Sequence, residues 1–73
     1  MVKAIYSDLH KLTVKRLRQA RLEADLDQTQ AARLLQKTQS YVSRIESGQR
    51  RVDIVQLKEF AQIYKKSLSF FLK

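Results

Sequence analysis

One face of a predicted helix near the middle of the chain carries short hydrogen-bonding side chains and a single arginine. Five residues recur on this face at helical spacing: Gln39, Ser40, Ser43, Arg44 and Ser47. A solvated helix usually presents long charged side chains of both signs instead. Hydrogen bonding to a partner is therefore the chemistry that this face could do, and the face contains no carboxylate.

The residue inventory does not support catalysis or metal binding. The chain has no cysteine and one histidine, His10, so it lacks the ligands of a thiolate zinc site, an imidazole cluster or a disulfide framework. It also lacks a phosphate-binding glycine loop and a carboxylate cluster in an evident cleft. We therefore predict that the protein is not an enzyme and that it binds no cofactor or metal.

The chain is strongly basic. Its 15 Lys and Arg residues against 7 Asp and Glu give a formal net charge of +8, which attracts polyanions. Nucleic acid is the first candidate, and the alternative is a basic surface that serves only solubility. No apolar run approaches the ~18 residues of a membrane span, and the N-terminus lacks the apolar block of a signal peptide. The prediction is a cytoplasmic protein with no membrane partner.

Length and turn-residue content predict one small, mostly helical domain. The chain has 73 residues, no proline and one glycine, Gly48, a composition that favours helices with short connections. Residues 1–6 include the strand-like VKAIY, which is either an extended N-terminal arm or a strand that pairs with another copy. Residues 7–73 are the predicted folded domain.

Cap residues and apolar spacing divide this domain into helices. Ser7 caps the first helix. Its inward face is predicted to be Leu9, Leu12, Thr13, Leu17, Ala20 and Ala24. Asp27 and Asp53, each with a glutamine three residues on, open the second and fourth helices with capping boxes. The third helix starts at Thr38 and stops before Gly48.

The fourth helix and the last segment are rich in apolar residues. The fourth helix is apolar on more than one face, at Ile54, Leu57, Phe60, Ala61, Ile63 and Tyr64, which predicts deep burial or a second interface. Ser67 caps the last segment, LSFFL. We interpret Tyr64, Phe70 and Phe71 as residues that close the core and supply part of a dimer surface.

The segment 28–45 combines a short helix, a tight turn at Gln36 and Lys37, and a second helix. Small or apolar residues stand at the positions that two steeply crossing helices must bury: Ala31, Ala32, Leu35, Val42 and Ile45. This pattern is typical of a helix-turn-helix. Its second helix would lie in the major groove of DNA, where donors and acceptors suit base edges and carboxylates would face phosphates.

Between residues 17 and 72 the chain carries the motifs LDQTQAA and QSYVSRIESG and a closing SLSFFL, in that order. Their order and spacing resemble those of the Cro and phage-repressor type of helix-turn-helix domain, also called the xenobiotic response element family. The resemblance implies an all-α, five-helix Cro/repressor-like domain. It also implies sequence-specific binding of double-stranded DNA by a repressor-like transcriptional regulator, as a homodimer on a two-fold operator.

Two positions depart from the family pattern. The family commonly has glycine in the turn between its two central helices and after its fourth helix, where this chain has Gln36 and Lys65. A left-handed backbone at a residue with a side chain costs about 1–2 kcal/mol. These changes bear on the local turn geometry more than on the fold, because the apolar pattern on either side is intact.

The resemblance also implies roles for individual residues. Base reading falls to Gln39, Ser40, Ser43 and Arg44. Within this set, a glutamine suits adenine and an arginine suits guanine. Phosphate binding falls to Gln28, Thr38, Tyr41, Ser47, Arg50 and Arg51. Arg21 and Glu46 occupy the positions of a family ion pair that orients the third helix, so Arg21 is assigned to structure and not to DNA.

Three alternatives stay open at this level. The polar face of the third helix could be an ordinary solvated surface. An antitoxin-like module would chiefly hold a protein partner and bind DNA secondarily, which predicts a large exposed apolar patch outside the dimer surface. A basic, non-specific nucleic-acid binder would not prefer selected DNA over random DNA.

Overall fold

The computed structural model of the protein describes residues 8–73, which form four α-helices and a closing 3-10 helix. Their bounds are Asp8–Glu23 (α1), Gln28–Leu35 (α2), Gln39–Glu46 (α3), Ile54–Tyr64 (α4) and Leu68–Leu72 (the 3-10 helix). No β-strand occurs in this range, in agreement with the predicted all-α class. The fifth predicted helix is thus a short 3-10 helix. The predicted arm at residues 1–6 and the Ser7 cap lie outside the described residues.

Side-chain caps start the central helices. Both predicted capping boxes are present: the Asp27 carboxylate accepts the Gln30 N–H at 2.7 Å, and the Gln30 side chain accepts the Asp27 N–H at 2.8 Å. Asp53 and Gln56 repeat this arrangement at 2.8 and 3.0 Å. The Thr38 hydroxyl accepts the backbone N–H three residues on, at 3.2 Å. Because these bonds satisfy otherwise free N–H groups, local sequence sets where α2, α3 and α4 begin.

The helices α2 and α4 both end at a non-glycine residue with a left-handed backbone. Gln36 has φ 60° and Lys65 has φ 57°, and these are the two positions where the family commonly has glycine. In both turns the next residue donates its backbone N–H to the carbonyl five residues earlier, at 2.9 Å. The helix-ending bonds are therefore kept, at the steric cost of a Cβ in the left-handed region. Gly48, with φ 83°, follows α3 without that cost.

The core lies between α1, α3, α4 and the 3-10 helix, and α2 packs on its edge against α3 and α4. The large side chains that are at most 1% exposed are Leu17, Val42, Ile45, Phe60 and Phe71. Burying each of them contributes about 1.5–3 kcal/mol. Ala31 and Ala32 are also buried, and their small side chains let α2 approach α3 closely.

Two large apolar residues, Leu9 of the predicted inward face of α1 and Ile54 of the apolar fourth helix, lie outside the core. Leu9 is 55% exposed and Ile54 is 59% exposed. Each stands in the first turn of its helix. Both residues, with the exposed Leu72, line a shallow groove of about 330 Å³. The predicted burial was therefore wrong for Leu9. For Ile54 the prediction was deep burial or a second interface, and its exposure excludes only the first of these.

Candidate nucleic-acid interface

The helices α2 and α3 form the predicted helix-turn-helix pair, and the polar face of α3 lies outward. Val42 and Ile45 have no exposed surface and attach α3 to the core. The opposite face holds the residues predicted to read bases. Gln39, Ser40 and Arg44 are exposed there, and Ser43 is half-buried. This face offers amide, hydroxyl and guanidinium groups to a ligand.

Arg21 of α1 forms an ion pair with Glu46 at the end of α3. The guanidinium donates from Nε to Oε2 at 2.7 Å and from Nη2 to Oε1 at 3.0 Å, and the side chains are 8% and 6% exposed. Its Nη1 donates to the Leu26 carbonyl at 3.0 Å. The hydrogen bond to Glu46 raises the pKa of the Arg21 guanidinium above its ordinary value. Arg21 thus fastens α1 to α3 and does not present its charge to an external ligand.

Gln28, the first residue of α2, lies between this ion pair and the outward face of α3. Its Nε2 donates to Oε1 of Glu46 at 3.1 Å, and its Oε1 accepts a hydrogen bond from Nε2 of Gln39 at 2.6 Å. A continuous series of side-chain hydrogen bonds therefore runs from Arg21 to Gln39. Gln28 was predicted to bind phosphate, and this link was not predicted because its two bonds join residues 18 and 11 positions apart in the chain.

Tyr41 points into the core and not toward the outward face of α3. It is 8% exposed, and its ring stacks on Phe60 with the centroids 6.2 Å apart and an angle of 4° between the planes. Burial raises the pKa of the Tyr41 hydroxyl. The ring packing on Phe60 does not test whether the Tyr41 hydroxyl binds phosphate, and that assignment stays a prediction.

Two exposed cations lie over the Tyr41 ring. The Arg50 guanidinium carbon is 4.9 Å from the ring centroid, and the Lys37 Nζ is 5.4 Å from it. Cation–π attraction of this kind restrains flexible side chains. Arg50 was predicted to bind phosphate, whereas Lys37 was not singled out. The sequence did indicate where Lys37 would lie, because it directly precedes Thr38, the N-cap of α3. Lys37 must therefore stand at the N-terminal end of α3.

The remaining residues that were predicted to bind phosphate lie at or beyond the two ends of α3. Thr38 is the N-cap of α3, so its hydroxyl is already a hydrogen-bond acceptor for the helix. Ser47 is the C-cap, and its hydroxyl donates to the Arg44 carbonyl at 3.0 Å. Arg51 is exposed in the segment that joins α3 to α4. Residues from both ends of α3 therefore border its outward face.

Two further kinds of feature, a metal-binding cluster and a membrane span, are not found in the described part of the chain. Within residues 8–73, no group of three or more His, Asp or Glu side chains is placed to hold a metal ion. No helix in that range combines the length and the apolar character needed to cross a membrane.

Comparison with known proteins adds to this geometry. A family model described as helix-turn-helix matches residues 17–71, which include α2, α3, α4 and most of the 3-10 helix. No curated protein matches the chain. The matched family is one of DNA-binding domains and not of enzymes, and its functions are sequence-specific DNA binding and transcription regulation. The chain therefore belongs to the Cro/repressor type of helix-turn-helix DNA-binding domains.

Proposed function

We propose that the protein is a repressor-like transcriptional regulator that reads operator half-sites in double-stranded DNA with α3. The observation that carries this proposal is the outward face of α3, which offers hydrogen-bonding groups without a carboxylate while Val42 and Ile45 hold its other face in the core. A helix that enters the major groove must present donors and acceptors to base edges. A cytoplasmic location stays a prediction.

The base-reading residues in this proposal are the four on the outward face of α3. Arg44 has a guanidinium that pairs with O6 and N7 of guanine, and Gln39 has an amide that pairs with N6 and N7 of adenine. Ser40 and Ser43 are short, so they allow the helix to approach the bases closely and can donate or accept one hydrogen bond each. Each good bidentate contact discriminates against a wrong base by about 1–3 kcal/mol.

The phosphate-binding residues in this proposal flank the reading helix. Arg50 and Arg51 supply charge after α3, and we add Lys37 because it lies with Arg50 over the Tyr41 ring. The Thr38 hydroxyl accepts from the Tyr41 N–H and can still donate its own proton to a phosphate. The Ser47 hydroxyl would first have to exchange its hydrogen bond to the Arg44 carbonyl for one to the phosphate. Gln28 has a second N–H on Nε2 beyond the one used by Glu46, and that group can donate to a phosphate. The net charge of +8 supports a binding energy dominated by such contacts.

We further propose that the protein binds as a homodimer. One helix of eight residues reads few base pairs, and helix-turn-helix proteins commonly gain affinity by joining two half-sites. The groove lined by Leu9, Ile54 and Leu72 is the surface that we assign to the second copy, because exposed large apolar side chains gather there beside Arg51. A two-fold axis at this groove would bring the same DNA-facing segment from both copies together.

Selection of binding sites from a random DNA pool tests the proposal. We expect a near-palindromic site with half-sites about one DNA turn, 34–36 Å, apart. Arg44→Ala should weaken binding to that site by about 1–3 kcal/mol and relax the choice of base at one position per half-site. Non-specific affinity should fall much less. A pool without an enriched sequence would contradict the proposal and favour the antitoxin-like module or the non-specific binder.

A further inference from the structure

We infer that Glu46 is a positioning residue for DNA reading, which acts through Gln28 to set the orientation of the Gln39 side-chain amide. The inference rests on the proposed function, in which Gln39 contacts a base. It gives Glu46 a role beyond its ion pair with Arg21, because the same carboxylate also accepts from Gln28 at 3.1 Å.

The orientation of the Gln28 amide follows from the chemistry of a carboxylate. An ionised carboxylate accepts hydrogen bonds and cannot donate them. The end of the Gln28 amide that faces Glu46 must therefore be its NH2 group, since its carbonyl oxygen would be repelled. Arg21 holds the carboxylate in place with two hydrogen bonds, and both side chains of the pair are less than 10% exposed. A charge-assisted hydrogen bond in such a site is roughly twice as strong as a neutral one.

The orientation of the Gln39 amide follows in turn. With its NH2 group toward Glu46, Gln28 presents its oxygen to Gln39, and only the NH2 group of Gln39 can donate to that oxygen, at 2.6 Å. An isolated glutamine amide can turn over and exchange the places of donor and acceptor. Here one of the two orientations is selected, so that Oε1 and the second N–H of Gln39 are left for a base.

This selection has a consequence for base preference. Adenine presents an acceptor at N7 and a donor at N6 in a fixed order along the major groove. A glutamine amide that is already held in one orientation matches one order of acceptor and donor, and it binds without the entropic cost of being oriented. If Glu46 sets that orientation, removing its charge should relax the preference at the base that Gln39 reads and leave the base that Arg44 reads unchanged.

The experiment compares base preferences of folded variants by binding-site selection. Glu46→Gln keeps the size of the side chain but can both donate and accept, so it no longer dictates the Gln28 orientation. Gln28→Leu removes the link and leaves Arg21 and Glu46 paired. The base position that Gln39 reads is identified as the one where Gln39→Ala alters the preference. At that position we expect the preferred base to lose at least about 5-fold of its advantage over the other bases in both variants. Preference at the Arg44-dependent position should stay as in the wild-type protein.

The ratio between bases separates positioning from stability. A variant that merely unfolds more binds every sequence less, whereas a ratio of affinities for two bases is unaffected by the folded fraction. Arg21→Lys is the matched control, since it disturbs the ion pair but keeps a carboxylate facing Gln28, and it should leave the preference unchanged. Should Glu46→Gln fail to fold, Gln28→Leu carries the same comparison.

The possible outcomes are distinguishable. If Gln39→Ala alters one base preference but Glu46→Gln and Gln28→Leu do not, the inference is wrong and the proposed function stands. An equal single-base loss in Arg21→Lys would overturn the assignment to the carboxylate and give the role to the ion pair as a whole. If the wild-type protein enriches no sequence, the proposed function itself fails.

Discussion

Arg21 and Glu46 join α1 to the end of α3 through two hydrogen bonds of 2.7 and 3.0 Å, and both side chains are almost fully buried. Removing one partner of such a pair leaves the other charge buried without compensation. We therefore expect Glu46→Ala to lower the free energy of unfolding by about 3–5 kcal/mol, a large share of the stability of a small domain. Urea unfolding at low temperature, followed by circular dichroism, measures this loss.

An exposed ion pair in the same protein provides the control for that measurement. Glu23 and Lys66 approach to 2.5 Å, but their side chains are 44% and 26% exposed. Solvent screens such pairs, so Lys66→Ala should lower stability much less than Glu46→Ala. Equal losses for the two variants would show that burial does not distinguish these pairs.

The left-handed residues Gln36 and Lys65 lead to a prediction of increased stability. Each carries a Cβ in a region of backbone space that favours glycine. We expect Gln36→Gly and Lys65→Gly each to raise the free energy of unfolding by about 0.5–1 kcal/mol, after the larger backbone entropy of glycine in the unfolded chain is deducted. Lys58→Gly, inside α4, should instead lower it by about 1 kcal/mol. Thermal unfolding of the three variants checks both signs.

The exposed pair Arg50 and Arg51 leads to a prediction about salt dependence. If both bind phosphates, the double change to Ala should weaken all DNA sequences alike and reduce the slope of log affinity against log salt by about 2. Titrations with selected and with random DNA at roughly 50–200 mM salt measure this slope. Lys15 and Arg18 are also exposed but lie on α1, outside the helix-turn-helix. The variant with both Lys15 and Arg18 changed to Ala has the same net charge as the variant with Arg50 and Arg51 changed to Ala. Its salt dependence should stay steeper than that of the Arg50 and Arg51 variant.

Glu23 leads to a prediction about pH. The hydrogen bond from Lys66, supported by one from Gln19, holds the pKa of Glu23 below its ordinary value. Because the folded-state pKa is lowered, the related stability is present above the ordinary pKa of about 4.3 and is lost as the pH falls through the lowered value. An NMR titration of the Glu23 carboxyl should report the low pKa, and Lys66→Met should raise it. Lys65→Met removes one positive charge at the neighbouring position and should leave the pKa of Glu23 unchanged.

The sequence by itself determined where α2, α3 and α4 begin and where α3 ends. Asp27 and Asp53 are followed by glutamines at the spacing of a capping box, and Gly48 follows the third helix, so these boundaries depend on contacts within a few residues. Buried Val42 and Ile45 were also predictable, because apolar periodicity shows which face of a helix must leave water. The polar face of α3 follows from the same periodicity.

Only the tertiary structure decided how the side chains around α3 are paired. Tyr41 lies beside the polar face in sequence, yet its ring is buried because Phe60, from another helix, offers it a flat apolar surface. Leu9 is exposed although its spacing fits the core, so periodicity within α1 did not decide its burial. Gln28 meets Glu46 and Gln39 only after α2 and α3 cross. Helical periodicity specifies a direction for each side chain, whereas its partner depends on which helix is packed in that direction.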